Sequence, residues 1–309
     1  MNVNVRELTQ HVEFEPYTYY AAFSAELEVS ASPMWALVSH LRDIDTKHYT
    51  FTVLKQCLQA LVTWFKAIGL NISEVNQPDQ MTFHEQVSFH LPLHRYYSVF
   101  MCQAIRHQGA NLQDVLPPLD LLKLIMVHPL RIQVAFYEVL NGLWVRNGLQ
   151  IQGQAMTYIQ CHFCNSFVDA DLYLLQICAG ELPPDLFIMN ILNKFNVMEL
   201  LSLSKRNGAN GNNESDQKTM MLDSCLTFLA TLVSVRTNLG LDESALARLE
   251  MVTLLCMSDR THSKLMEHMP EKLSSGAHTR DFESLLSQVC LSLYSKLYRV
   301  RSCESKLQI

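Results

Sequence analysis

The sequence predicts a mainly α fold: an irregular multi-helix scaffold with a small N-terminal β-hairpin and a C-terminal winged-helix-like three-helix module. Three observations carry this. Gly and Pro number only 10 each in 309 residues, so chain breaks are few. Hydrophobic residues make up 49% of the chain, enough for a large core. Apolar residues also recur at three- and four-residue steps through most of the chain, the period of a helix with one buried face.

The hairpin is read from period-two alternation. Val12 and Phe14 alternate with Glu13 and Glu15 before Pro16, and Phe23, Ala25, Leu27 and Val29 alternate with Ser24, Glu26 and Glu28 after it. Ser32-Pro33 opens a helix through Leu41, and a second helix covers Thr50 to Ile68, stopped by Gly69. Met81 to Phe89 reads as a short strand, and Pro92 starts a helix with Leu93, Tyr97, Phe100, Met101, Ala104 and Ile105 on one face. A helix from Leu119 to Val127 comes next.

The organising stretch is His128 to Gly148, read as one long helix. Pro129 suits its first turn, where a missing N–H is harmless. Leu130, Val134, Tyr137, Leu140 and Trp144 form its stripe, and Asn147-Gly148 ends it. Its polar residues Arg131, Glu138, Asn141 and Arg146 need specific partners if they are buried. Arg131, Trp144 and Arg146 fit either an exposed hot spot or an internal network. The internal network is the favoured reading, because Trp144 continues the stripe.

Short helices follow at Ile151–Phe163 and Asp169–Ala179, then one over Leu186–Leu201 with Asp185 as its N-cap. Ser204 to Lys218 is polar and rich in Asn and Gly, and reads as a flexible linker. Met220 to Leu239 is a helix capped by Gly240. The last three are Asp242–Met257 (Leu246, Leu249, Val252, Thr253 and Cys256 inward), Ser263–His268 capped by Thr261, and Asp281–Tyr298. The division is a scaffold with hairpin (1–203), a linker (204–218), a helical and winged-helix-like module (219–298) and a polar tail (299–309). No repeat of fixed period is visible, so a regular solenoid is not expected.

Charge excludes some function classes. Lys plus Arg number 24 against 30 Asp plus Glu, giving −6, the wrong sign for a nucleic-acid partner. No apolar run reaches the roughly 18 residues needed for a membrane span. Nine Cys without an export signal read as reduced thiols in a cytoplasmic or nuclear protein. Cys161-His162-Phe163-Cys164 has the spacing of a zinc clip, but no second clip completes four ligands, so Cys161 and Cys164 are read as plain thiols at a helix end. His84, His90 and His94 are the densest His group. Pro92 separates the last two, and His90 is read as tying the strand to the helix start; His128 is likewise read as structural. There is no Gly-rich phosphate loop, no nucleophile elbow and no HExxH, so no catalytic residue is assigned and no cofactor is expected in this chain.

Several stretches together carry a resemblance. They are Val87–Arg95, with Phe89, His90 and Pro92; His128, Pro129 and Arg131; Gly142–Gly148, with Trp144, Arg146, Asn147 and Gly148; Asp169–Gln176; Pro183–Phe195; and Thr261–Glu271. In this order they resemble the central region of the UBR-box ubiquitin ligases of the N-end-rule pathway. The wording of Leu93–Phe100 is most similar to the third UBR-type branch. The resemblance spans roughly Met81 to Leu273 and fades from Ser274. It implies a ubiquitin-protein ligase whose zinc-bound degron box and RING lie outside this chain. On that basis the chain is a non-catalytic scaffold. Its partners are the other domains of the ligase, with the ubiquitin-conjugating enzyme and degron substrates reached only through those missing regions. The alternative is an independent helical adaptor that competes for the ligase's partners.

Overall fold

The computed structural model describes residues 29, 31–67, 93–144, 148–159, 167–201, 212–241, 243–258, 260–268 and 282–291. The hairpin, the 81–89 strand and the Gly69 stop lie outside them. Among the described residues there is no strand, and the architecture is helical throughout.

The chain divides into two units, the first comprising residues 1–160 and 166–240, the second 161–165 and 241–309. The first contains α1 (31–40), a 3-10 turn at Ile44–Thr46, α2 (Lys47–Ala67), α3 (Leu93–His107), α4 (Leu112–Val115) and α5 (Leu119–Leu140). It continues with α6 (Gly148–Ile159), α7 (Phe167–Glu181), α8 (Pro184–Lys194), α9 (Met198–Leu201) and α10 (Asn212–Ser234). Helix α2 packs along α3, α3 against α7, and α7 against α5 and α10.

Two apolar clusters share the middle helices. Leu54, Leu61 and Phe65 of α2 meet Tyr97, Phe100 and Met101 of α3, Leu124 and Ile125 of α5 and Leu174 of α7. On the other side, Leu122, Met126, Leu130 and Val134 of α5 and Leu175 and Cys178 of α7 meet Phe187 and Ile191 of α8 and Cys225, Phe228 and Leu232 of α10. Helices α5 and α7 therefore bury more than one face, as expected of helices that are apolar nearly all round.

The organising stretch differs from the sequence reading at both ends. Pro129 lies inside α5 rather than at a start. Its ring costs the Ile125 carbonyl its helical partner, a cost of about 3 kcal/mol. The unbroken buried stripe Leu122, Met126, Leu130, Val134 offsets it and carries the helix through. The helix then ends at Leu140, well before Gly148. Gly142 takes φ +70°, its N–H bonds to the Val139 carbonyl at 3.0 Å, and the Leu143 N–H bonds to that of Glu138 at 3.0 Å. This is a Schellman stop with Gly142 in the left-handed position. Gly148 opens α6 instead of closing the previous helix.

The linker and the domain boundary also move. Helix α10 begins at Asn212, inside the stretch read as flexible, and its buried residues belong to the first unit's second cluster, not to the module expected from residue 219. The helix stops at Ser234, and residues 235–240 continue as a strap. The Gln176 carboxamide donates to the carbonyls of Leu232 and Val235 at 3.0 and 2.7 Å, and the Asn238 N–H donates to Asp169 at 3.2 Å. Gly240, expected as a helix cap, is instead the strap's turn at φ +79°. A Cβ there would sit 2.9 Å from Cys102 Sγ.

The second unit contains α11 (Glu243–Met257), α12 (His262–His268) and α13 (282–291). Met251, Leu265, Phe282 and Val289 form its core. Thr261 Oγ1 accepts from the Lys264 N–H at 3.4 Å, a helix N-cap. The inward face of α11 is narrower than its apolar pattern suggests. Leu246 and Met251 are buried, whereas Leu249 and Cys256 are exposed.

Candidate functional site

The polar centre of the first unit is Asp171 on α7, flanked in sequence by Ala170 and Leu172. Ala170, Leu174 and Leu175 turn the same side of α7 into the core, so the helical period carries the carboxylate inward with them. Four hydrogen bonds meet it. His94 Nε2 lies 2.7 Å from Oδ1, Arg95 donates from Nε to Oδ1 at 3.1 Å and from Nη2 to Oδ2 at 3.2 Å, and the Tyr158 hydroxyl donates to Oδ2 at 2.7 Å. Gln133 of α5 donates to the same Tyr158 hydroxyl, and Ser98 of α3 donates to the Ala170 carbonyl at 2.6 Å. The Arg95 guanidinium lies over the rings of Tyr158 and Phe167, 5.3 and 5.0 Å from their centroids. One carboxylate thereby ties together α3, α5, α6 and α7.

Burial alone would raise the Asp171 carboxyl's pKa. The Arg95 charge and the His94 hydrogen bond overcome it and hold the group well below the usual carboxylate range. Burial pushes His94 downward against the pull of Asp171, so its ring is neutral and Nε2 carries the proton donated to the carboxylate. Burial also drives Tyr158 far above its ordinary value. Charge is therefore balanced within one Arg–Asp pair. Asp171 is 0% exposed, Arg95 2% and His94 3%, so no substrate reaches these groups. The arrangement ties these helices together through groups closed to solvent.

A second carboxylate, Glu138 of α5, is only half-buried. Arg131 Nη1 donates to its Oε1 at 2.9 Å, and the indole N–H of Trp144 donates to Oε2 at 3.0 Å. Trp144 lies past the Schellman stop, so Glu138 fastens the chain leaving α5 back onto the helix. Nearby, Asn141 donates to Ser224 of α10 at 2.9 Å.

The residues singled out from sequence fall in three places. Arg131 and Trp144 meet at Glu138. Pro129 is buried within α5, and His128 stands edge-on to His94, with ring centroids 4.9 Å apart. Phe89, His90, Pro92, Arg146, Asn147, Cys161 and Cys164 lie outside the described residues, and of Gly148 only the backbone is described. Among the described residues no group of three or more His, Cys, Asp or Glu could hold a metal. Sequence reasoning missed Arg95 and Asp171. Their signal was a charge set inside an otherwise apolar helical run.

Comparison with known proteins places this architecture. Residues 79–228, which hold the whole Asp171 cluster, match the UBR1/2/3-like ARM repeat domain. Residues 79–228 belong to that family. The zebrafish E3 ubiquitin-protein ligase ubr3 is 48% identical over 293 residues, covering 94% of this chain and 15% of that protein. The human UBR3 ligase is 47% identical over 295 residues, with the same two coverages. The more distant Arabidopsis PRT6 ligase is 26% identical over 227 residues, 67% of this chain and 11% of that protein. The chain thus spans about 15% of the length of the UBR3 relatives it matches. No solved structure matches it.

The match also bears on the expectation that no regular solenoid is present. The family is an ARM repeat domain, and the helices here range from the 4 residues of α4 to the 23 of α10. Elements of such unequal length share no fixed sequence period, although helix pairs still stack on their neighbours.

Proposed function

We propose that this chain is a non-catalytic scaffold segment of a UBR-family ubiquitin ligase in ubiquitin-dependent degradation. It holds the degron-binding and RING ends at a set distance and angle. The observation that carries this is Asp171, whose oxygens are saturated by helices far apart in sequence and closed to solvent. Such a lock fixes orientation, and orientation is what a scaffold contributes when reactants are held elsewhere. The conjugating enzyme, the degron and the zinc ions belong, in this reading, to other regions of the ligase, and its place is the cytoplasm or nucleus. The four buried free thiols Cys57, Cys102, Cys178 and Cys225 agree with a reducing compartment.

The test is an in-vitro ubiquitination assay comparing the purified chain with a longer chain extended through a RING, with bound zinc measured in both. The expected result is neither ubiquitin transfer nor zinc in the short chain, and both in the long one. Transfer or stoichiometric zinc in the short chain overturns the proposal.

A further inference from the structure

The strap at residues 235–240 crosses from one apolar cluster to the other: Leu232, at the end of α10, packs in the second, and Leu239 packs in the first. Two helices hold it. Helix α7 offers Asp169, Tyr173 and Gln176, which share one face at helical spacing. Asp169 accepts from the Asn238 N–H, Gln176 donates to the carbonyls of Leu232 and Val235, and Tyr173 is hydrogen-bonded to the Cys102 thiol. Helix α3 offers Cys102, whose Sγ donates to the Leu239 carbonyl at 3.4 Å, and His107, whose Nε2 lies 2.8 Å from the carbonyl of Gly240. The strap thus covers Cys102, so closely that Gly240 has no room for a Cβ.

The hold is thin. Thr237 and Leu239 are buried, but Val235 and Arg236 face solvent. Residues 235–240 are not helical, so their backbone groups rest on single bonds to side chains rather than on a ladder, and a thiol is a weak donor. A segment with so few buried side chains lies at the low end of the local stabilities within a fold. Helices α3, α5, α6 and α7 are instead tied by the Asp171 cluster.

We propose that the strap is a clasp that opens as a unit while the helices tied by Asp171 stay folded, and that its opening uncovers Cys102. Closed, the connection to α11 is residues 241–242; open, the connection from α10 to α11 is residues 235–242. The clasp therefore sets the length of the tether into the second unit, which begins at Leu241. Burial pushes the Cys102 thiol up to about 11, so it is inert under the closed strap. Burial also raises Cys178 and Cys225, which lie in the second cluster and are uncovered only when helices unfold.

Labelling of the native chain with N-ethylmaleimide across sub-denaturing urea, with each thiol read by mass spectrometry, tests this. Cys102 is expected to react at least about tenfold faster than Cys178 and Cys225, and almost independently of urea, because opening the strap exposes little surface. The other two follow the steep urea dependence of global unfolding. Gly240→Ala, which sets a Cβ against the Cys102 sulfur at a left-handed position, raises the Cys102 rate at least about tenfold. Asp171→Asn speeds Cys178 and Cys225 and leaves Cys102 unchanged, since it weakens the closed and open forms alike. Should that variant not fold, the urea dependence in the unsubstituted chain carries the test. A Cys102 rate with the urea dependence of Cys178 overturns the proposal, as does one that rises with Cys178 in Asp171→Asn.

Discussion

The two carboxylates Asp171 and Glu138 are built from the same parts. Each is gripped by an arginine and by an aromatic side chain that donates a hydrogen bond, Tyr158 in one case and Trp144 in the other. They differ in water and in reach. Asp171 and Arg95 are 0% and 2% exposed, whereas Glu138 and Arg131 are 22% and 24%. Arg95 lies 76 residues from Asp171; Arg131 lies 7 from Glu138. The buried pair therefore closes the tertiary fold, and the half-buried pair fastens one helix end. The same chemistry has a different energetic weight in each place, because a buried charge that loses its partner has no solvent to turn to.

The largest effect follows from that asymmetry. Asp171→Asn keeps the shape but removes the charge, leaving the Arg95 guanidinium buried without a counter-ion. The expected loss is about 3–5 kcal/mol, a large part of the roughly 5–15 kcal/mol that holds a typical domain. Urea denaturation followed by circular dichroism measures it. A loss below about 1 kcal/mol would mean that water reaches Arg95, and the distinction between the two pairs would collapse.

The helical character of the chain was legible because it rests on local period, and the three helices of the second unit appeared in the order read. Boundaries were misread where tertiary packing outweighed local signals. Pro129 looks like a helix start, but the stripe on both sides of it is buried against α7 and α8. Gly142 and Gly148 are equally good stops in sequence, and only the hydrogen bonds of Leu143 and Gly142 choose between them. Arg131 and Trp144 were singled out, and both bind Glu138. The Asp171 cluster was not found, because nothing local links position 95 to position 171. Ser204 to Lys218 looked unanchored for a related reason: its later part is the first stretch of α10, whose anchor lies further on at Met221 and Cys225.

His94 sharpens the comparison through pH. Burial holds its folded pKa below the value of about 6.5 expected in the unfolded chain. The unfolded state therefore takes up the proton first. The stability that the neutral ring contributes is complete above about pH 6.5 and is lost as pH falls below it, by at most about 1.4 kcal/mol per pH unit. Asp171 behaves separately. Its folded pKa is depressed, so its contribution is intact above about pH 3.9 and is lost only in stronger acid. His94→Gln keeps a donor for Asp171 and removes the titration. Stability measured at pH 7, 6 and 5 is expected to fall less steeply in the variant; curves of equal slope would show that His94 takes up its proton equally in the folded and unfolded chain, and a steeper fall in the variant would show that the ring is already protonated in the fold.

Glu138→Gln tests the other half of the comparison and should have the smallest effect. The carboxamide oxygen can still accept from Arg131 or from the Trp144 indole, and Arg131, being partly solvated, keeps water as a partner when the charge is gone. The Schellman stop at Gly142 is made by backbone groups and does not depend on the side chain. A partly solvated pair is worth less than a buried one, so the expected loss is about 0.5–1 kcal/mol in urea denaturation, only partly reduced by about 1 M salt in the unsubstituted protein. Trp144 offers a local reading, since its indole exchanges an ionised acceptor for a neutral one and its fluorescence shifts even where stability hardly moves. A loss matching that of Asp171→Asn would mean that Glu138 does more than fasten the end of α5, and that the Asn141–Ser224 contact to α10 depends on it.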